Sequence, residues 1–455
     1  MERANAAKVP SATERSFSEG DAAAPATATM RARVAAWSPI AAILIAGGLL
    51  IPLVVSVAGE DPFRFPKDLA LRAEVIVLAA ALLLGWIFGR LEPLRVRLQE
   101  RWLVVVLLLC AWTAVCALAS TNRAVSVAPT IRVLEYALLF VVTVASMRTL
   151  PPWIAGVIVP PAVVNAAVYV LQELDLWTPF DTSGVPDKHL TRTALMGNPN
   201  YVGSYLVAPA VVALALALTQ RRGRLGWAAA AAFLVVATFM TYTVGAIVAL
   251  VAALPVMIAI RLRSPRTITA GVLAALLAAG VAFVAYRPLH ERVNVMRDAL
   301  KRGDLQTLSA MRAMPFLAAA EMARDHPLTG VGPGGFAYNY FDYKLRIQER
   351  YRSMFGPGGA APENFGEVHN DHLQVASETG LPGYALFAAA LLLLASATWQ
   401  SARTPSPRVS LTRVLALPLV VSFAVLALSQ FPLELVAATH AYLWAAAAIV
   451  AWRPS

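Results

Sequence analysis

The sequence predicts an all-α polytopic membrane protein, with about 12 transmembrane helices and one long structured loop outside the bilayer. Three observations carry that prediction. Apolar runs of about 18–20 residues, the length that crosses ~30 Å of hydrocarbon as a helix, recur from end to end of the chain. Hydrophobic residues make up 58% of its 455 residues and charged ones only 14%, where a soluble domain carries roughly 25% charged residues. The basic residues, nearly all arginine, sit in short bursts between the apolar runs, so the formal charge of +11 reads as a topology signal rather than a grip on nucleic acid. A soluble enzyme, a nucleic-acid-binding protein and a secreted disulfide scaffold are thereby excluded. The two cysteines, Cys110 and Cys116, share one apolar run and read as small core residues.

Taken in order, residues 1–36 are rich in Ala, Ser, Thr and Glu without apolar periodicity. They are expected to form a disordered cytoplasmic tail that is not a cleaved signal peptide. Spans are expected at about 37–58, 75–91, 102–119, 129–146, 153–171, 201–218, 227–241, 245–260, 268–286, 383–399, 414–430 and 437–452. Nine spans thus fill 37–286, a loop domain fills 287–382, and three spans with a short cytoplasmic tail fill 383–455. Of the 38 Lys and Arg, 20 fall on the side of the N-terminus and seven in the short loops opposite. The other eleven lie in the long loop, whose length exempts it from the positive-inside rule. Both termini are therefore expected in the cytoplasm and the long loop on the outer face.

All six histidines fall outside the spans or at their outer ends, and the long loop balances eleven basic against eleven acidic residues. Long loops of this kind are usually functional, so chemistry is expected on the outer face. Residues 308–325 place Met311, Phe316, Leu317 and Met322 on an apolar stripe, with Pro315 kinking or restarting the helix. In HPLTGVGPGGF that follows, Gly330, Gly332, Gly334 and Gly335 favour a structural turn; the Lys and Ser/Thr of a phosphate-binding P-loop are missing. Residues 338–355, rich in Tyr and Arg, suit an amphipathic helix on the membrane surface or over a cleft, as a lid, a scaffold or a sugar contact.

From His369 to Thr379 the residues favour helix, with Gly380 in the left-handed terminating position and Pro382 blocking continuation. On that helix His369, His372, Leu373 and Ala376 share a face. Metal binding, a buried structural role and acid–base catalysis stay open for the two histidines. HNDH differs from HExxH and the outer loops lack an Asp-x-Asp pair, whereas neutral imidazole accepts a proton at ambient pH. In the outer loop 172–200, Lys188, His189 and Arg192 precede GNPNY. There Asn198 and Asn200 flank Pro199 in a turn whose side chains can bond backbone or ligand hydroxyls. Arg192 alone suits a lipid-headgroup anchor equally well, and Arg132 and Glu135 are expected to pair locally.

These residues resemble a known family. His369-Asn370, nine residues, then Gly380-Leu-Pro-Gly383 is similar to the His-Asn-x9-Gly-x-x-Gly signature of bacterial O-antigen ligases, which share a superfamily with O-antigen polymerases and protein O-oligosaccharyltransferases. TRTALMGNPNYVGSYL resembles the family's Arg…Gly…Asn-Pro-Asn element, and MRAMPFLAAAEMARDHPLTGVGPGGF its Arg-containing helix with Pro-Leu-x-Gly-Val-Gly. The resemblance covers about 190–385. Many relatives carry Ser-Arg-Gly between the seventh and eighth spans, where this chain has Thr243-Val244-Gly245. The resemblance implies a GT-C-like glycosyltransferase in the Gram-negative inner membrane, active on the periplasmic face. It implies transfer of O-antigen from undecaprenyl diphosphate to a sugar hydroxyl of lipid A–core, with no metal or other cofactor. The implied partners are those two lipid-linked substrates and the surrounding membrane lipids, with no nucleic acid.

For such a reaction the departing diphosphate gathers negative charge, and no carboxylate cluster suited to a divalent ion is visible in the sequence. Guanidinium groups bind phosphate oxygens bidentately and stay charged when partly desolvated. Arg192 and Arg312 are therefore expected on the diphosphate, and His369 as the base that takes the acceptor proton with inversion, His372 being its rival. Asn370 or Glu378 would orient the base, while Asn198, Asn200, Gly380 and Gly383 would shape the site. A polymerase or protein O-oligosaccharyltransferase is the alternative within the superfamily. A secondary transporter is the alternative outside it, disfavoured by the lack of an internal repeat.

Overall fold

A computed structural model describes residues 39–56, 61–88, 100–179, 191–262, 287–309, 312–350, 364–401 and 406–453. Regular structure among these residues is helical throughout. The chain runs through α1 (Pro39–Leu50), α2 (Arg64–Ile87), α3 (Arg101–Leu118), α4 (Arg123–Met147), α5 (Val159–Glu173), α6 (Pro199–Thr219), α7 (Arg224–Met240) and α8 (Val244–Leu262). Next come α9 (Arg287–Arg302), α10 (Leu305–Leu308), α11 (Ala313–Asp325) and α12 (Gly335–Arg350). The chain returns through α13 (Asp371–Gln400), α14 (Pro407–Leu426) and α15 (Val436–Trp452).

Seven of the described helices are long and apolar enough to cross a membrane. They are α2, α3, α4, the Pro152–Glu173 helix containing α5, α6, Val244–Arg261 of α8, and α13. Four shorter apolar helices, Pro39–Leu53, Arg224–Met240, Ser410–Leu426 and Val436–Trp452, sit at further predicted spans. The predicted span 268–286 and tail 1–36 lie outside the described residues, as do Lys188, His189 and Met311. The helix expected at 75–91 begins instead at Arg64, because the polar start of α2, RFPKD, dilutes the apolar pattern that marks a span.

Burial follows composition. Helix α6 is apolar on every side and buried along almost its whole length, as expected for a helix enclosed by others. Helices α7, α8, α14 and α15 pack around it. Asn198 starts it, accepting a hydrogen bond from Asn200 N at 2.8 Å, with Pro199 in the first position where a missing N–H costs nothing. Helices α2, α3 and α4 expose Ile76, Trp86, Leu107, Leu118 and Ile131 outward, the apolar surface that a bilayer covers.

The segment from α11 to α12 forms a second, smaller core. Met314, Ala318 and Met322 of α11 pack on Phe336, Tyr340, Tyr343 and Ile347 of α12, with Val368 beneath. Pro315 lies in the first turn of α11, so it restarts the helix rather than kinking it. The predicted amphipathic helix is observed over Gly335–Arg350, braced by Arg346–Asp325 at 3.0 Å and Arg350–Glu321 at 2.6 Å.

The Gly-rich turn is a wedge. Val331 N and Gly332 N donate to Ser377 O and Glu378 O, and Leu381 N donates to Pro327 O. Gly380 takes the left-handed conformation expected of it, φ +70°, and a Cβ there would collide with Leu328 O. The helix does not end at Gly380, however. It kinks and resumes to Gln400, so α13 runs across the expected 382/383 boundary, with Pro382 tolerated just past the kink.

Candidate active site

The site is built around the turn between α14 and α15. Its backbone and the last turn of α14 receive the start of α13: Asp371 N donates to Ala427 O at 3.0 Å, Asn370 Nδ2 to Leu428 O at 3.0 Å, and His372 Nε2 to Ala424 O of α14 at 3.0 Å. In return Leu433 N donates to Asp371 Oδ2 at 2.9 Å. Asn370 also caps α13, its Oδ1 accepting from Leu373 N at 3.0 Å. Gly383 packs against Thr379 and Trp112 where α13 passes α3.

His369 is therefore not on the helix. It stands just before the cap with φ +60°, a backbone conformation costly for a residue with a side chain and concentrated at functional sites. The expected shared face of His369 and His372 is corrected accordingly: the cap at Asn370 turns the two imidazoles apart. His372 is engaged on both ring nitrogens, by Ala424 O and, at 3.4 Å, by Tyr384 Oη. His369 instead lies edge-on to Phe431 (4.6 Å between centroids) and Phe365 (5.8 Å). Its Nδ1 is buried with no hydrogen-bond partner among the described residues. Burial, then the charges of Arg312 and Arg64, push its pKa down to about 4, so the imidazole is neutral at ambient pH.

Arg312 precedes α11, and its Nη1 donates to Ser429 O in the same turn. Arg64 opens α2; its Nη2 donates to Glu367 at 2.8 Å and its guanidinium stands 5.9 Å from the centre of the Tyr201 ring. Sequence reading placed Arg64 only in a short outer loop. Glu434 was missed as well: Arg132 bridges it at 3.3 Å to Asp68 of α2 at 3.2 Å, in place of the expected local pair with Glu135. Burial lifts the Glu434 carboxyl above the usual carboxylate range against the pull of Arg132. No motif marks the QFPLE segment carrying Phe431 and Glu434; its short polar gap between two apolar runs was the only available signal.

The remaining candidates fall into three groups. Glu378 accepts from Gly334 N at 2.9 Å and Phe336 N at 3.3 Å, so it holds the Gly-rich turn; neither it nor Asn370 bonds the His369 ring. Asn198 and Asn200 sit at the start of α6, where Thr243 Oγ1 donates to Pro199 O at 3.3 Å, so the Thr243-Val244-Gly245 turn is a hydroxyl brace for that helix. Arg192 is not among the charges acting on His369. It pairs with Glu173 at 2.8 Å and, more loosely, with the exposed Asp175 at 3.7 Å at the end of α5.

The structure thus gathers a neutral imidazole, two guanidinium groups and aromatic edges at the end of the bundle where α2, α6 and α13 begin. That set can accept a proton beside a bound anion. No curated protein matches the chain significantly. Residues 229–388 match the family model described as O-antigen ligase, a stretch running from α7 into α13 that includes Arg312, His369, Asn370, Glu378, Gly380 and Gly383. The match spans about a third of the chain and supports membership of the O-antigen ligase/polymerase superfamily.

Proposed function

We propose that the protein is an O-antigen ligase, a membrane glycosyltransferase that moves O-antigen polysaccharide from undecaprenyl diphosphate to a sugar hydroxyl of lipid A–core. The reaction takes place at the periplasmic face of the inner membrane. The observation that carries the reading is the neutral His369 imidazole set beside the Arg312 guanidinium. The acceptor oxygen attacks the anomeric carbon, the carbon–oxygen bond to the diphosphate breaks, and its electron pair leaves with undecaprenyl diphosphate. The hydroxyl proton passes to His369, and the anomeric configuration inverts. Arg312 offsets the charge growing on the leaving diphosphate. Arg192 joins it on the donor by exchanging its loose contact with Asp175 for a phosphate oxygen. Asn198 and Asn200 at the head of α6, and the Gly380 and Gly383 kink, shape the walls, while His372 fixes α13 against α14.

Among the described residues no three His, Cys, Asp or Glu side chains gather as a metal site. The test is transfer by purified protein from lipid-linked O-antigen to lipid A–core. His369→Ala is expected to lose about 10²–10⁴-fold in turnover while still binding donor, and full activity in that variant overturns the assignment. Transfer is expected to persist in chelator; loss restored by a divalent ion would overturn the metal-free mechanism. In cells lacking the gene, core without polymer supports a ligase, and core bearing one repeat identifies a polymerase.

A further inference from the structure

We infer that Arg64, from the start of α2, is a diphosphate-binding residue, completing with Arg312 a pair of guanidinium groups around His369; this rests on the donor class proposed above. Two cations, Arg64 and Arg312, bear on one imidazole, a repulsive arrangement for a base that must take up a proton. A bound polyanion between them removes the repulsion, so the arrangement fits a site that is complete only when its anion is present.

The local chemistry singles out Arg64 from its neighbours. Lys67, one turn along α2, donates through Nζ to Val54 O at 2.8 Å, Phe63 O at 3.1 Å and Leu195 O at 2.6 Å. An ammonium has three donors, so Lys67 is fully engaged in anchoring α2. Arg132 is bridged between Asp68 and Glu434. A guanidinium has five N–H donors; Arg64 directs Nη2 to Glu367 and also meets the Tyr201 hydroxyl. Two side-chain partners leave donors of the fork for a ligand, and about a third of the side chain is exposed (34%).

The supports of Arg64 are those of the base. Glu367 lies two residues before His369 on the same segment. Tyr201, under the guanidinium, meets Phe431 at 5.5 Å, and Phe431 meets His369 at 4.6 Å. One line of rings and one carboxylate therefore fix Arg64 relative to His369, which is what holding a leaving group opposite a base demands.

The experiment measures binding of farnesyl diphosphate and of farnesol to the purified full-length protein in detergent, for wild type, Arg64→Gln and Arg64→Lys. Gln preserves a hydrogen bond to Glu367 while removing the charge, and thermal melting verifies folding. Wild type is expected to prefer the diphosphate. Arg64→Gln is expected to weaken farnesyl diphosphate roughly 10- to 100-fold and leave farnesol unchanged, with partial recovery in Arg64→Lys, which keeps the charge but not the fork. If wild type prefers the diphosphate and Arg64→Gln binds it equally well, the role of Arg64 is overturned and the donor class stands. If wild type binds both ligands alike, the diphosphate site itself is wrong and both fall.

Discussion

The imidazole of His369 meets the Phe431 ring edge-on, with centroids 4.6 Å apart and planes at 83°. Its Nδ1 has no hydrogen-bond partner among the described residues, so ring contacts rather than a carboxylate set its direction. An aromatic pair of this geometry contributes about 0.5–1.5 kcal/mol beyond area burial. Phe431→Leu keeps apolar bulk and removes the edge. It is expected to lower kcat about 2- to 10-fold while leaving donor binding unchanged. Steady-state transfer kinetics decide the point: equal loss in donor affinity would mean that Phe431 shapes the donor pocket instead.

The pH behaviour of His369 has a definite sign. With its pKa held down to about 4 by burial and by Arg312 and Arg64, the folded protein stays neutral where an unfolded histidine, near 6.5, takes up a proton. Between those values the unfolded chain binds more protons, so this residue's contribution to stability is present above about 6.5 and is lost as pH falls toward about 4. Catalysis carries a second signature. The profile of kcat/KM reports free enzyme and that of kcat the complex. A bound diphosphate offsets the two arginines, so the acid limb of kcat is expected at higher pH than that of kcat/KM. A kcat/KM limb at 6.5, as for a solvated histidine, would contradict the arrangement.

Arg192 tests the outer rim of the proposed site. Its partner Glu173 is largely buried and Asp175 largely exposed, so one contact is firm and the other exchangeable. Arg192→Ala is expected to raise donor KM roughly 10-fold or more and to lower thermal stability, because the largely buried Glu173 loses its cation and keeps only hydroxyl contacts. Adding Glu173→Gln removes that buried charge and is expected to restore stability but not donor KM. Recovery of both would make Arg192 a brace of the α5–α6 loop alone.

How much of this was legible beforehand follows from the range of the interactions. Apolar runs are local, and they located the described apolar helices within a few residues except where polar residues open a helix, as at Arg64. Gly380 was legible because a left-handed backbone selects glycine. The face shared by His369 and His372 was misread because helical spacing cannot reveal that Asn370 is the cap. Arg64, Phe431 and Glu434 carry no local pattern. Their roles arise from contacts between segments some 300 residues apart, as in Arg64 with Glu367 and Arg132 with Glu434.

Glu74 and His440 form a pair that the sequence placed at span ends and the structure buries. Glu74 Oε2 lies 3.3 Å from His440 Nε2, with both side chains at most 4% exposed, and the carboxylate packs directly on Gly47 of α1. Ten residues separate Glu74 from Arg64, about 15 Å of helix. Lys67 and Glu74, two turns apart on the buried face of α2, are therefore polar attachments to the bundle beside the Asp68–Arg132 bridge. Removing one member leaves the other's polar group buried without it, at a cost of about 1–3 kcal/mol, whereas replacing both by apolar groups is often neutral. Glu74→Leu and His440→Leu are each expected to lower the melting temperature in detergent, and the double variant to recover most of the loss. If the pair also sets the register of α2, the single variants weaken farnesyl diphosphate binding through Arg64, and the double variant, stable but without the polar lock, stays weakened. Full stability in both single variants would show that the pair contributes no attachment. Recovered stability together with recovered binding would confine its role to packing.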